Sequence, residues 1–187
     1  MKTKLLLLLF LLIGNFGFSQ LTTINPDTVC YQTPGSIYEV PNTPGYTYNW
    51  TVTAPGIINS GQGTNSIGVD WSNAAPGLIP GAVTVEAVDA NGCTAEVDLD
   101  VFIYEVIPVI DLQGPFCPDE ACVTLTATPP GGVFSGPGVT GNEFCPTDAG
   151  IGNHTITYTV TINGCTFTNT IVYVVNPGPT LTPIQHN

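Results

Sequence analysis

Apolar and polar residues alternate with a period of two along several short stretches, and that periodicity predicts strands. The clearest stretch is Thr94–Tyr104. Ala95, Val97, Leu99 and Val101 point one way there, and Glu96, Asp98 and Asp100 the other. Such a strand lays one face on a core and the other in water. Residues 82–88 precede it across Asp89-Ala90-Asn91-Gly92. Asn-Gly readily takes the positive φ of a tight turn, so the two segments are predicted to form an antiparallel hairpin. The pattern returns in residues 154–161, Ile162-Asn163-Gly164 and residues 166–175. His154 opens that alternation and is expected on the solvent-facing side. Upstream, residues 46–52 alternate around Trp50, and residues 66–71 form another short strand candidate. Pro-Gly pairs at 34–35, 44–45, 55–56 and 76–77 mark turns between them.

Two signatures recur in the same order. Ser60-Gly61-Gln62-Gly63 returns as Ser135-Gly136-Pro137-Gly138, and Asn91-Gly92-Cys93-Thr94 as Asn163-Gly164-Cys165-Thr166. Two copies of one plan, rich in short strands and turns, predict an all-β chain of two tandem immunoglobulin-like β-sandwich domains. The expected modules are residues 20–107 and 108–176. Residues 177–187, with prolines at 177, 179 and 183, form an extended tail. Residues 1–19 have the layout of a signal peptide: Lys2 and Lys4, an apolar run from Leu5 to Ile13, then Gly17 and Ser19 at the cleavage site. That run is too short to anchor the chain in a bilayer, so no membrane span is expected after cleavage.

Composition sharpens this picture. Both basic residues lie in the leader, which leaves fourteen acidic side chains, two histidines and no lysine or arginine. Nucleic acids, which need cations to meet phosphate, are not expected as partners, and anionic lipid surfaces are disfavoured for the same reason. Folding must rest on burial, hydrogen bonds and disulfides. Six cysteines in an exported chain (Cys30, Cys93, Cys117, Cys122, Cys145 and Cys165) read as three disulfides. No CxxC spacing favours zinc. The expected cofactor is none, with calcium as the one candidate. Asp89, Asn91, Glu105 and Asp111 offer it hard oxygen ligands, although no D-x-D-x-D-G loop occurs. The same acids otherwise serve to keep an extracellular surface soluble.

Catalytic motifs are missing. Gly136-Pro137-Gly138-Val139-Thr140-Gly141 matches G-x-G-x-x-G in form, but a proline inside it and the lack of a following helix make it a turn. No nucleophile-base-orienter constellation is visible beside His154, His186 lies in the tail, and no serine lies in a G-x-S-x-G elbow. No enzyme is expected, and a secreted glycan hydrolase is the remotest reading.

A cysteine before an early strand (Cys30), a tryptophan on a middle strand (Trp50) and a cysteine opening a late strand (Cys93) resemble the pin of an immunoglobulin-like fold. That resemblance implies a Cys30–Cys93 bridge. By the repeat it implies Cys117–Cys165 as well, which leaves Cys122–Cys145. Residues 46–52, 60–67 and 69–71 resemble PKD-like modules of Bacteroidota surface proteins. Residues 125–132, 134–139 and 153–159 resemble an immunoglobulin-like repeat of the same proteins. The resemblance implies an exported, non-catalytic structural or adhesive module protein at the cell surface or in the periplasm. It would bind an envelope or surface protein, or a glycan. The alternative it implies is an accessory subunit of a gliding-motility or type IX secretion adhesin system. Exposed Tyr31, Tyr38 or Trp71 in a shallow groove would favour glycan, and exposed edges with an ordered tail would favour protein.

Overall fold

Strand parity decides burial through most of the chain. The computed structural model describes residues 21–22, 25–180 and 183. The expected leader, residues 1–19, and His186 in the tail lie outside the described residues. Two units divide between Glu105 and Val106, just ahead of the 107/108 junction expected from sequence.

The N-terminal unit contains β1 (Leu21–Thr22), β2 (Asp27–Cys30), β3 (Ser36–Glu39), β4 (Thr47–Val52), β5 (Ile57–Ser60), β6 (Ser66–Asp70), β7 (Gly77–Val88) and β8 (Thr94–Tyr104). One sheet runs β1-β8-β7-β4, with β2 also alongside β8, and the other runs β3-β6-β5. Inward residues from both meet in a single core that includes Tyr38, Trp50, Val69, Trp71, Val85 and Ile103. β7 and β8 form the predicted hairpin, with Val88 opposite Thr94 at its tip. That tip extends past the core: Ala95 is exposed, whereas Val101 and Ile103 on the same strand are fully buried.

The C-terminal unit contains β9 (Val109–Ile110), β10 (Val123–Thr124), β11 (Ala127–Thr128), β12 (Val133–Ser135), β13 (Val139–Thr140), β14 (Glu143–Phe144), the single helical turn α1 (Pro146–Ala149), β15 (Gly152–Ile162) and β16 (Cys165–Val175). Its main sheet runs β12-β15-β16, joined by β10-β14-β13 and the pair β11-β9. Two separate apolar clusters fill it, one around Phe116, Phe144 and Tyr173 and one around Ile110, Tyr158 and Val160. The β15–β16 hairpin turns through Asn163 at φ 52° and Gly164 at φ 81°, as its Asn-Gly pair requires.

The Ser-Gly-x-Gly repeat is a recurring turn. Gly61 and Gly63 both stand at φ 86°, and Gly136 and Gly138 at φ 149° and 71°. At Gly61 a Cβ would lie 2.1 Å from the Ser66 carbonyl oxygen, so glycine is required there. The dinucleotide-like match at 136–141 is therefore the turn at 136–138 between β12 and β13 followed by β13 itself, the turn closed by the Val139 amide donating to the Gly136 carbonyl (3.2 Å).

His154 is a correction. It is buried rather than solvent-facing, because it shares parity with Ile156, Tyr158 and Val160 on β15, all of which face inward. The threonines between them take the outer face. Its Nε2 donates to the Gly150 carbonyl (2.7 Å), tying down the chain after α1.

The disulfide pattern is a second correction. Cys122 and Cys145 are bonded, as the pairing by remainder implied. Cys30 and Cys165 are also in disulfides. Cys93 and Cys117 are exposed free thiols, so neither Cys30–Cys93 nor Cys117–Cys165 forms. Distance along a strand is the reason. Cys30 lies in register with Tyr104 at the end of β8, while Cys93 precedes the first residue of that strand. Eleven extended residues separate them, about 36 Å against the few ångströms a disulfide spans. In the second unit Phe116 is in register with Val175, the last residue of β16, and Cys165 is the first residue of that strand. The same separation therefore recurs.

Candidate functional site

Most side chains that could have formed a recognition or catalytic site are committed to holding the fold. Trp71 is fully buried and Tyr38 nearly so. The indole Nε1 of Trp71 donates to the Tyr38 hydroxyl (3.0 Å) inside the core. Burial, and then the nearby Asp27 charge, raise the Tyr38 hydroxyl well above its ordinary value of 10.0. The sequence reading held these two rings as a possible sugar-stacking platform. They are core residues, and Tyr31 is left as a single half-exposed ring.

The four calcium candidates are not brought together. Asp89 accepts from the backbone amides of Asn91 and Cys93, both at 2.8 Å, and so closes the β7–β8 tip. Those bonds, led by the one from Cys93, hold its carboxyl below the usual range. Glu105 follows Tyr104 at the other end of β8, so it cannot share an ion with Asp89. Asp111 belongs to the C-terminal unit. Its carboxylate accepts from Thr126, and its backbone carbonyl accepts from the Tyr173 hydroxyl (2.8 Å). Burial, and then Asp111, raise the Tyr173 hydroxyl. Among the described residues no group of three or more His, Cys, Asp or Glu is placed to hold a metal.

One cleft of about 460 Å³ opens in the C-terminal unit beside β12, walled by Leu125, Ala127, Val133, Phe134 and Tyr158 among others. The Tyr158 hydroxyl donates to the Pro129 carbonyl and accepts from the Gly132 amide, both at 2.7 Å. No carboxylate, histidine or cysteine lines the cleft, and the hydroxyls of Tyr158 and Thr126 on its wall are held in hydrogen bonds to Pro129, Gly132 and Asp111.

The residue that sequence reasoning missed is Gln62. Its side-chain amide accepts from the Trp50 backbone N–H (3.2 Å) and donates to the Trp50 carbonyl (2.9 Å). Gly63 adds an antiparallel bridge to Tyr48. A side chain thus occupies the outer edge of β4 as a neighbouring strand would, which blocks pairing with another chain. The only signal in the sequence was the Ser-Gly-x-Gly repeat, and its x position is proline in the second copy.

Both free thiols lie at strand ends. In the N-terminal unit the chain arrives beside the hairpin tip, with Leu21 opposite Val97, and leaves from Tyr104. In the C-terminal unit the Pro108 carbonyl accepts from Asn169 Nδ2 (2.6 Å), on the half of β16 nearer Cys165, and the chain leaves from Val175. Each unit therefore has a cysteine at its N-terminal pole (Cys93, Cys165) and another at its C-terminal pole (Cys30, Cys117). The backbone at each free thiol is fixed by a carboxylate. Asp89 binds the Cys93 amide, and Glu120 Oε2 accepts from the Cys117 amide (3.1 Å).

Residues 19–101 match the PKD-like domain family. The match covers most of the N-terminal unit and supports reading that unit as a PKD-like module. A search of curated proteins finds no match. Similar solved structures include protocadherin gamma B2 extracellular cadherin domains 3–6, at 16% identity and TM-score 0.36, covering 86% of this chain and 46% of that one. The protocadherin gammaB7 EC3–6 cis-dimer structure is also similar, at 16% identity and TM-score 0.31, with 87% and 47% covered. The chain spans about half the length of these structures.

Proposed function

We propose that this chain is a non-catalytic structural or adhesive module protein of the bacterial cell envelope that works through protein–protein contacts. The observation that carries this reading is the fate of Trp71, Tyr38, His154 and Asp111. All four are taken up in internal hydrogen bonds, while strand faces, strand edges and hairpin tips are left to meet a partner. Burial of the two largest candidate aromatics favours protein over glycan, because stacking on sugar rings needs exposed ring faces. With no lysine or arginine after residue 4, steering favours a partner that is neutral or basic where it docks.

The finer reading, an accessory subunit of a gliding-motility or type IX secretion adhesin system, rests on resemblance to Bacteroidota surface modules. Immunolabelling of the tagged protein on intact and permeabilised source cells tests where it works. Labelling of intact cells is the expected result for an adhesive role. Signal only after permeabilisation would replace that role with a periplasmic accessory subunit, and turnover of polymeric glycans by the purified protein would overturn the non-catalytic reading.

A further inference from the structure

We propose that copies of this chain join through a disulfide between Cys117 of one copy and Cys93 of the next. Three observations lead there. Both thiols are free and exposed, and an exported chain meets oxidising conditions in which spare exposed cysteines pair between molecules. The two thiols also occupy different poles of the repeat. Cys93 stands at the N-terminal pole of the first unit, beside the Leu21–Val97 register, and Cys117 at the C-terminal pole of the second, beside the Phe116–Val175 register.

The third observation is the state of their equivalents. Cys165 is the repeat counterpart of Cys93, following the same Asn-Gly turn. Cys30 is the counterpart of Cys117, since each is placed eleven positions along the last hairpin strand from its Asn-Gly-Cys cysteine. Cys30 and Cys165 are both disulfide-bonded. The same two kinds of position are thus competent for disulfide formation in the fold, and at Cys93 and Cys117 they are open. A bond between two unlike cysteines is heterologous, so it closes only where the rotation relating the copies happens to complete a ring. Successive copies therefore extend as a filament or a ring.

The chemistry balances with a disulfide oxidant, either a small-molecule disulfide or an oxidoreductase. One thiol, as its thiolate, attacks a sulfur of the oxidant, forming a mixed disulfide and releasing one reduced thiol. The second thiolate then displaces the remaining oxidant sulfur, giving the Cys117–Cys93 bond. Two thiols of this protein are oxidised, and the oxidant takes up two electrons and two protons as two thiols.

The test uses the exported protein, purified without reductant and treated with oxidised glutathione. Wild type is expected to give a ladder of multimers on non-reducing gels. In an equal mixture of isotopically light and heavy protein, mixed-label Cys93–Cys117 peptides should appear. Cys93→Ser and Cys117→Ser alone should remain monomeric, and mixing the two should give dimers and nothing larger. Circular dichroism of each variant confirms folding, since neither cysteine is bonded in the monomer. Three results overturn the proposal: a wild type that stays monomeric with both thiols titratable, either single variant dimerising with itself, or a Cys93–Cys117 peptide carrying only one label.

Discussion

The outward faces of the two long hairpins differ in chemistry although their backbones follow one plan. On β8 the outer positions carry Glu96, Asp98 and Asp100, and Glu86 on β7 stands directly opposite Glu96. On β15 and β16 most of the outer positions are threonines, with Asn153, Val172 and Val174 at the end away from the turn. Thr161 pairs with Thr166 and Thr159 with Thr168, their hydroxyls 3.0 and 3.3 Å apart. Like charges across strands destabilise a sheet and threonine pairs stabilise it. The N-terminal hairpin therefore carries an electrostatic strain that the C-terminal one avoids.

The interiors compensate in the opposite sense. The N-terminal unit has one continuous core with both tryptophans buried in it. The C-terminal unit divides its apolar residues into two clusters and adds the Cys122–Cys145 bond, which closes a segment of 23 residues. A unit with a divided core gains from a covalent tie that restricts its unfolded chain, and a unit with a continuous core depends on it less.

The largest effect that would break this contrast comes from Trp71→Ala. It leaves a cavity at a fully buried ring and abandons the Tyr38 hydroxyl, so a loss of about 3–5 kcal/mol is expected. Hydrogen exchange should place that loss in peptides of the N-terminal unit. Next is the joint replacement Cys122→Ser with Cys145→Ser, expected to lower stability by about 3 kcal/mol from the closed loop alone. A reduction of protection confined to residues before Glu105 would contradict that assignment.

Gln62→Ala is a smaller perturbation. It removes two neutral hydrogen bonds to Trp50 worth about 1 kcal/mol each and reopens the β4 edge. A lower urea midpoint should come with concentration-dependent association in light scattering, and a loss of stability without association would show that the edge is protected by something else. The smallest change runs the other way. Glu86→Lys converts the like-charge pair with Glu96 into an opposite-charge one and should stabilise by about 0.2–1 kcal/mol at low salt. That gain should fade in 1 M salt.

Local pattern and tertiary structure divided this protein between them. Alternation and the two Asn-Gly sequences determined the hairpins, because side-chain direction in a strand depends only on parity; the second turns on Asn163 and Gly164 both at positive φ, the first through a longer loop with Gly92 alone there. The Ser-Gly-x-Gly repeat likewise determined a turn, since positive φ at Gly61 and Gly138 is a property of the local backbone. The same parity applied to His154 would have placed it inward with Ile156. Tertiary structure decided the rest, as position along a strand shows most clearly. Parity does not tell that Cys30 reaches the far end of β8 from Cys93, because that follows from the parallel register of β2 on β8, a long-range pairing with no local signature. Nor could the sequence show that Trp71 and Tyr38 would meet inside the core, or that Gln62 would close an edge at Trp50. Those outcomes depend on how two sheets stack and which loop covers which strand, and only the folded chain brings such distant residues together.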